Sequence, residues 1–194
     1  MLGLKLETDP QWARLEAGNI GELLTDHAWC EQKAASNAIS LIVNFPEHSG
    51  LVSEMSKIAV EEMEHFGMVH TKILERGMVL GPERKDNYVN ELYSFMRRGH
   101  KRSIVLADRL LFAAMVEARS CERFRVLAET LADEDLRSFY RELMISEAGH
   151  YTTFLGFARQ YGDSVKDVNA RWQEWLDHES RVIRNYGRHE SIHG

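Results

Sequence analysis

Apolar positions recur along this chain at alternating intervals of three and four, the spacing of helices that each bury one side in a bundle. A first stripe reads Ile20, Leu24, His27, Glu31, Ala34, Ala38, Leu41 and Phe45 and stops at Pro46. After Ser49-Gly50 a second runs through Leu51, Met55, Ile58, Glu62, His65 and Val69 towards Gly77. The third begins near Ser103 and carries Leu106, Leu110, Ala113, Glu117, Cys121, Phe124, Ala128 and Leu131. The fourth, opened by Asp133, carries Leu136, Tyr140, Leu143, Glu147, His150, Phe154, Phe157 and Tyr161 before Gly162. A fifth helix is expected over about 164–186, with Val165, Val168, Trp172, Trp175, Val182 and Tyr186 laid against the others. The one long connection, Gly77 to Arg102, holds a short helix over Tyr88–Met96 and is expected to cross the length of the bundle. These patterns predict an all-α fold. Its form is a four-helix bundle over about 20–162, with a long crossover between helices 2 and 3 and an additional C-terminal helix, in a single domain over 1–194.

Composition agrees with the helices. Pro10, Pro46 and Pro82 are the only prolines, so nothing after residue 82 carries the residue that breaks helix interiors. Hydrophobic residues make up 44% and charged residues 28%, which excludes global disorder. A net charge of −6 carries no overall signature of a nucleic-acid binder, although a local basic patch suffices for one. Cys30 and Cys121 form no CxxC pair and are too few for a disulfide scaffold, which suits a reducing, cytoplasmic setting. The opening MLGLKLETDPQW lacks a secretion signal, and no apolar run approaches the ~20 residues of a membrane span.

The stripes contain an anomaly. Each of the four core stripes carries one acid, and all four acids are glutamates: Glu31, Glu62, Glu117 and Glu147. Two stripes also carry a histidine three residues on, His65 and His150. Glutamate is almost never buried without a partner, and four in one small core repel one another. Divalent cations remove that penalty, and i, i+3 spacing aims Glu and His at the same ion. A lone Glu-x-x-His is weak evidence, since with 21 Glu and 9 His chance supplies about one. The chain has three, the third being Glu190-Ser-Ile-His193, which lacks an apolar stripe and reads as a solvated tail. The order of the other two is informative. Glu31 precedes Glu62 by 31 residues and Glu117 precedes Glu147 by 30, so the chain presents Glu, a hairpin, Glu-x-x-His, a crossover, and the same again. One Glu from each of two helices plus Glu-x-x-His from the other two is the dinuclear carboxylate site of ferritin-like bundles. Oxygen-rich ligation favours two iron ions, with manganese second, over zinc.

Neighbouring residues carry two readings each. His27, one turn before Glu31, is either a support for the site or a hydrogen-bonded core histidine. Glu61 is placed either to accept a histidine ring proton or to lie on a solvated face. Tyr140, two turns before Glu147, either reaches towards the site or packs in the core. Ala34, Ala35, Ala38, Ala113, Ala114 and Ala118 slim the first and third helices, for a substrate pocket or for close packing. Arg97, Arg98, Lys101 and Arg102, with His100 between them, form a basic cluster in an acidic chain. It is either a phosphate-docking surface or a basic helix C-terminus favoured by the dipole.

Four segments carry a resemblance. Asp26-His-Ala-Trp-Cys-Glu-Gln-Lys-Ala-Ala35, Glu61-Glu-Met-Glu-His-Phe66, Glu117-Ala-Arg-Ser-Cys-Glu-Arg-Phe124 and Ser146-Glu-Ala-Gly-His-Tyr151 resemble the tRNA 2-methylthio-isopentenyladenosine hydroxylases, the MiaE family. The likeness spans about residues 20–162, and EARSCERF is its most specific part. It implies a non-haem di-iron monooxygenase that uses dioxygen as co-substrate to hydroxylate the isopentenyl group of an adenosine beside the tRNA anticodon. Glu31, Glu62, His65, Glu117, Glu147 and His150 carry over as iron ligands, and the basic cluster as the tRNA-docking surface. Two electrons come from an external donor, since no flavin or nicotinamide fingerprint is present. Many di-iron hydroxylases have Asp where this chain has Glu61 and Ser146, and some have Thr where it has Cys121. Those departures leave the ligands intact and the proton route open. The rival readings are a ferritin-like iron-storage protein, which predicts a cage, and a di-iron oxygenase acting on a small molecule or lipid. A rubrerythrin-like peroxidase is disfavoured by the missing CxxC pair.

Overall fold

A computed structural model of the chain describes residues 2–186, with backbone alone at Leu15, Glu16 and Tyr186. The sequence pattern at Glu190–His193 lies outside the described residues. The described residues form seven helices: α1 (Pro10–Ala17), α2 (Ile20–Asn44), α3 (Ser49–Glu75), α4 (Asn87–Ser94), α5 (Arg102–Thr130), α6 (Glu134–Tyr161) and α7 (Val165–Tyr186). No helix among them is long and apolar enough to cross a membrane. Their contacts gather into two compact units, one of α2 and α3 with the start of the crossover, the other of α1 and α4–α7.

The first unit is a helical hairpin. Leu23, Leu24, Ala28, Ala35, Ala38 and Leu41 of α2, with Leu51, Met55, Ile58, Val69 and Ile73 of α3, are buried. The chain reverses at Pro46, where the Phe45 N–H still bonds to Leu41 O (3.0 Å) and the Phe45 side chain is buried. At the far end Gly77 adopts φ +67°, its N–H bonding to Leu74 O (2.9 Å) and that of Met78 to Ile73 O (3.1 Å). That pair is a Schellman closure, which an L side chain at position 77 would strain. The crossover then returns along α2: the Trp29 indole donates to Gly81 O (3.0 Å) and the Lys33 ammonium to Arg84 O (3.0 Å).

In the second unit α5 and α6 form the other hairpin, joined by three residues. Asp133 caps α6, its carboxylate accepting from Asp135 N (3.0 Å) and Leu136 N (3.2 Å). α5 differs from the single-stripe expectation, because 20 of its 29 residues are buried. Covered on all sides by α1, α4, α6 and α7, it is the core of this unit. α1 was not among the predicted helices. It starts at Pro10 after Asp9, whose carboxylate accepts from Gln11 N (2.9 Å), and it buries Trp12 beneath the Arg123 guanidinium (4.2 Å).

α7 docks through Val168, Trp172, Trp175, Leu176, Val182 and Ile183. Its entry is tight at Gly162, where an added Cβ would run into Val168 Cγ2 and sit 2.9 Å from Ala158 O. Buried charges complete the contact. Glu179 of α7 accepts from Arg119 Nε (2.8 Å) and Nη2 (2.6 Å) and from the Tyr88 hydroxyl (3.1 Å). Arg119 also reaches Glu122 (3.2 Å) and Leu6 O (3.0 Å), and Glu122 takes the Thr8 N–H (3.0 Å). One fully buried guanidinium thus ties together the N-terminal segment, α4, α5 and α7.

Candidate metal centre

Each hairpin gathers three of the six predicted ligands. In the first, Glu31 comes from α2 and Glu62 and His65 from α3, with exposures of 4%, 0% and 6%. One ligand atom from each lies within 4.8 Å of the others. His65 Nδ1 is 3.3 Å from Glu62 Oε2 and 3.7 Å from Glu31 Oε2. His27, one turn before Glu31 and completely buried, brings Nε2 to 2.5 Å from Glu31 Oε1. Burial alone would raise the Glu31 pKa. Hydrogen bonds from His27 and His65 outweigh it and hold the carboxyl well below the usual carboxylate range. Glu31 is thereby kept as an anion, the form that binds a metal.

The second hairpin repeats the set. Glu117 on α5 and Glu147 and His150 on α6 are 4%, 2% and 5% exposed, with one ligand atom of each within 4.8 Å of the others. Helical geometry explains both triplets: i, i+3 puts Glu and His of α3, and again of α6, on one face, and the antiparallel partner supplies the remaining Glu. Two buried carboxylates and one imidazole in apolar surroundings are a poor solution for stability alone. They are an oxygen-rich donor set that fits iron or manganese.

The other named residues fall as follows. Glu61 is half-buried on α3 beside Glu62. Tyr140 is completely buried and packs on Phe124 (centroids 5.3 Å) and Phe139 (5.4 Å). Cys121 donates to Met144 O (3.3 Å), and burial, then the charges of Glu147 and Glu122, push its thiol up to about 12. It is a packed thiol without nucleophilic character at neutral pH. Neither cysteine is in a disulfide.

The basic cluster lies between α4 and α5. Arg97 bonds Glu174 (3.3 Å), Arg98 sits 5.2 Å from the centre of the Tyr93 ring, and Lys101, 70% exposed, reaches Asp163 (3.0 Å). Lys101 and Arg102 are the N-cap and first residue of α5. A helix N-terminus repels cations, so the dipole accounts for neither. The structure adds residues absent from the predicted set: Arg119, Glu122, Arg123 and Glu179. Arg119, Glu122 and Arg123 stood out in the sequence as part of EARSCERF, but as charges on one face of a helix read as having its polar side in solvent, and Glu179 left no trace.

Comparison with known proteins places the fold and the chemistry together. The family model described as tRNA-(MS[2]IO[6]A)-hydroxylase (MiaE) matches residues 3–194. A tRNA 2-(methylsulfanyl)-N(6)-isopentenyladenosine(37) hydroxylase of Pseudomonas putida is 40% identical, over 81% of this chain and 76% of its own length. Its counterpart from Salmonella typhimurium is 29% identical, over 90% and 80%. Among solved structures, a Synechococcus protein with aldehyde deformylating oxygenase activity superposes with a TM-score of 0.91 at 30% identity, over 98% of this chain and 95% of that one. The fold class is all-α and ferritin-like, and the chain belongs to the MiaE family of tRNA hydroxylases.

Proposed function

We propose that this chain is a tRNA-modifying non-haem di-iron monooxygenase that hydroxylates the isopentenyl group of 2-methylthio-isopentenyladenosine beside the anticodon. The observation that carries the reading is one Glu facing a Glu-x-x-His, buried in each of two hairpins, in a chain matched to the hydroxylase family from residue 3 to 194. The 40% identity to the Pseudomonas putida hydroxylase supports the substrate.

In this reading the two hairpins act as one ferritin-like domain. Glu31, Glu62 and His65 with Glu117, Glu147 and His150 hold two iron ions, which when bound supply the chemistry that activates dioxygen. One oxygen atom enters a C–H bond of the prenyl group. The other leaves as water, with two electrons and two protons from an external donor. His27 keeps Glu31 ionised and oriented, as a support for a ligand does. The apolar helix faces around the carboxylates exclude water from the reaction. Arg97, Arg98, Lys101 and Arg102 contact tRNA phosphates, which position the RNA without reading its sequence.

The test is nucleoside mass spectrometry of prenylated tRNA incubated with iron-loaded protein, dioxygen and a reductant. One added oxygen on the prenylated adenosine is expected. No gain with a fully loaded site overturns the reading. The likeness to the Synechococcus oxygenase favours a second reading, a di-iron oxygenase of a small molecule. The same incubation with an aldehyde in place of tRNA, its products read by mass spectrometry, distinguishes it.

A further inference from the structure

A cavity of about 300 Å³ lies at the N-terminal end of α5, against α7. Ile104, Ala107 and Leu111 of α5 and Val168 of α7 form its apolar walls. Its floor is rigid, because Asp108 accepts from Arg171 Nε (2.7 Å) and Nη2 (3.0 Å), from Arg97 N (2.6 Å) and from the Trp175 indole (3.1 Å). Charges ring the mouth: Arg97 with Glu174, which also accepts from Arg171 Nη1 (2.7 Å), Asp167, and Asp163 with Lys101 just outside the lining. Both pairs are solvent-exposed and therefore weak, so either cation can turn to a phosphate at little cost. Its lining residues on α5 precede Glu117 by 6 to 13 residues of continuous helix, about 9–20 Å at 1.5 Å per residue, and none of the six Glu and His side chains of the candidate metal centre lines it. The cavity is therefore not where the reacting prenyl group meets the metal ligands.

We propose that this cavity receives a second nucleobase of the tRNA substrate, swung out of its loop and distinct from the prenylated adenosine. The inference rests on the tRNA hydroxylase reading and adds to it a second point of recognition. Apolar walls suit the two faces of a base, and the carboxylates of Asp163 and Glu174 accept from its amino or imino hydrogens. Arg97 and Lys101 hold the phosphates on either side. The half-exposed Tyr93 ring beside Arg98 offers the next base a stacking surface. Single-stranded loops are read in this way, by bases splayed into pockets flanked by cations.

The test uses the full-length iron-loaded protein and unmodified anticodon stem-loop RNAs carrying 2-aminopurine at one loop position at a time. At one position other than that of the target adenosine, binding is expected to change the 2-aminopurine fluorescence. Ala170→Trp, which fills the cavity from an exposed site on α7, is expected to abolish that change. It should also weaken RNA binding about tenfold, the worth of one stacked base, with iron content and melting temperature unaltered. If Ala170→Trp does not fold, Ala170→Leu is read in its place. RNA affinity unchanged by the filled cavity, or a fluorescence response at the target position alone, overturns the inference. The hydroxylase reading fails separately, through absence of oxygen insertion by the wild-type protein on prenylated tRNA, whatever the stem-loop binding shows.

Discussion

The residues that name the chemistry are those that a folded core should not contain. Glu31, Glu62, Glu117 and Glu147 were legible in the sequence because each interrupts an apolar stripe, and burial confirms the anomaly at 4% exposure or less. Replacing Glu62 by Ala removes a carboxylate that no apolar side chain mimics as a ligand. Anaerobic iron loading of Glu62→Ala is expected to fall well below two ions per chain by metal analysis, and Glu147→Ala likewise. The metal-free Glu62→Ala variant should lose little stability in urea, within about 1 kcal/mol, because it also relieves a buried charge. Cys121 makes the opposite point. It lies one turn after Glu117 on α5 and reads in sequence as a small buried hydrophobe, and its thiol is pushed up to about 12. At pH 8 iodoacetamide is expected to label the half-buried Cys30 in native protein and to reach Cys121 only after unfolding, as peptide mass spectrometry would show.

At the level of elements, all four stripe helices were readable as helices, but the burial of α5 on every side was not. α3 buries all six positions of its predicted stripe, whereas α5 is covered all round. Its charges at 119, 122 and 123 were therefore invisible as core residues, since periodicity assigns charge to solvent by default. Their cost is large if left unpaired. Arg119→Met strands the fully buried Glu179 without its cation, leaves Glu122 only the cation of Arg125 (3.4 Å), and is expected to cost about 3–5 kcal/mol in denaturant unfolding. Adding Glu179→Met should recover part of that loss, and independent, additive losses would show that the pair is not coupled. The turn into α7 is equally specific. Gly162→Ala drives a Cβ into Val168 and the Ala158 carbonyl, an overpacking expected to cost about 1–3 kcal/mol. Gly162 was read only as the end of a helix, because the close approach depends on a side chain six residues away.

For the molecule as a whole, net charge and local charge oppose each other. The spacing of Glu and Glu-x-x-His made the two hairpins and the Glu and His side chains each gathers legible together, because helix geometry converts sequence interval directly into position. The docking of the N-terminal segment on Arg119 was not legible, since contacts between residues more than a hundred positions apart leave no periodic trace. The basic cluster is an intermediate case: its charge was evident, but the place of Lys101 and Arg102 at the start of α5, where the dipole disfavours cations, required the fold. A chain of net charge −6 repels RNA except where such a cluster overrides it. If Arg97, Arg98, Lys101 and Arg102 each meet a phosphate, the logarithm of tRNA affinity should fall with the logarithm of salt concentration at a slope of roughly −3 to −4. Arg98→Gln with Lys101→Gln should reduce that slope by about two and weaken binding at low salt most, with iron loading unchanged. A slope unaffected by the double substitution would place the RNA on another face of the molecule, where the acidic surface offers no comparable run of cations in sequence.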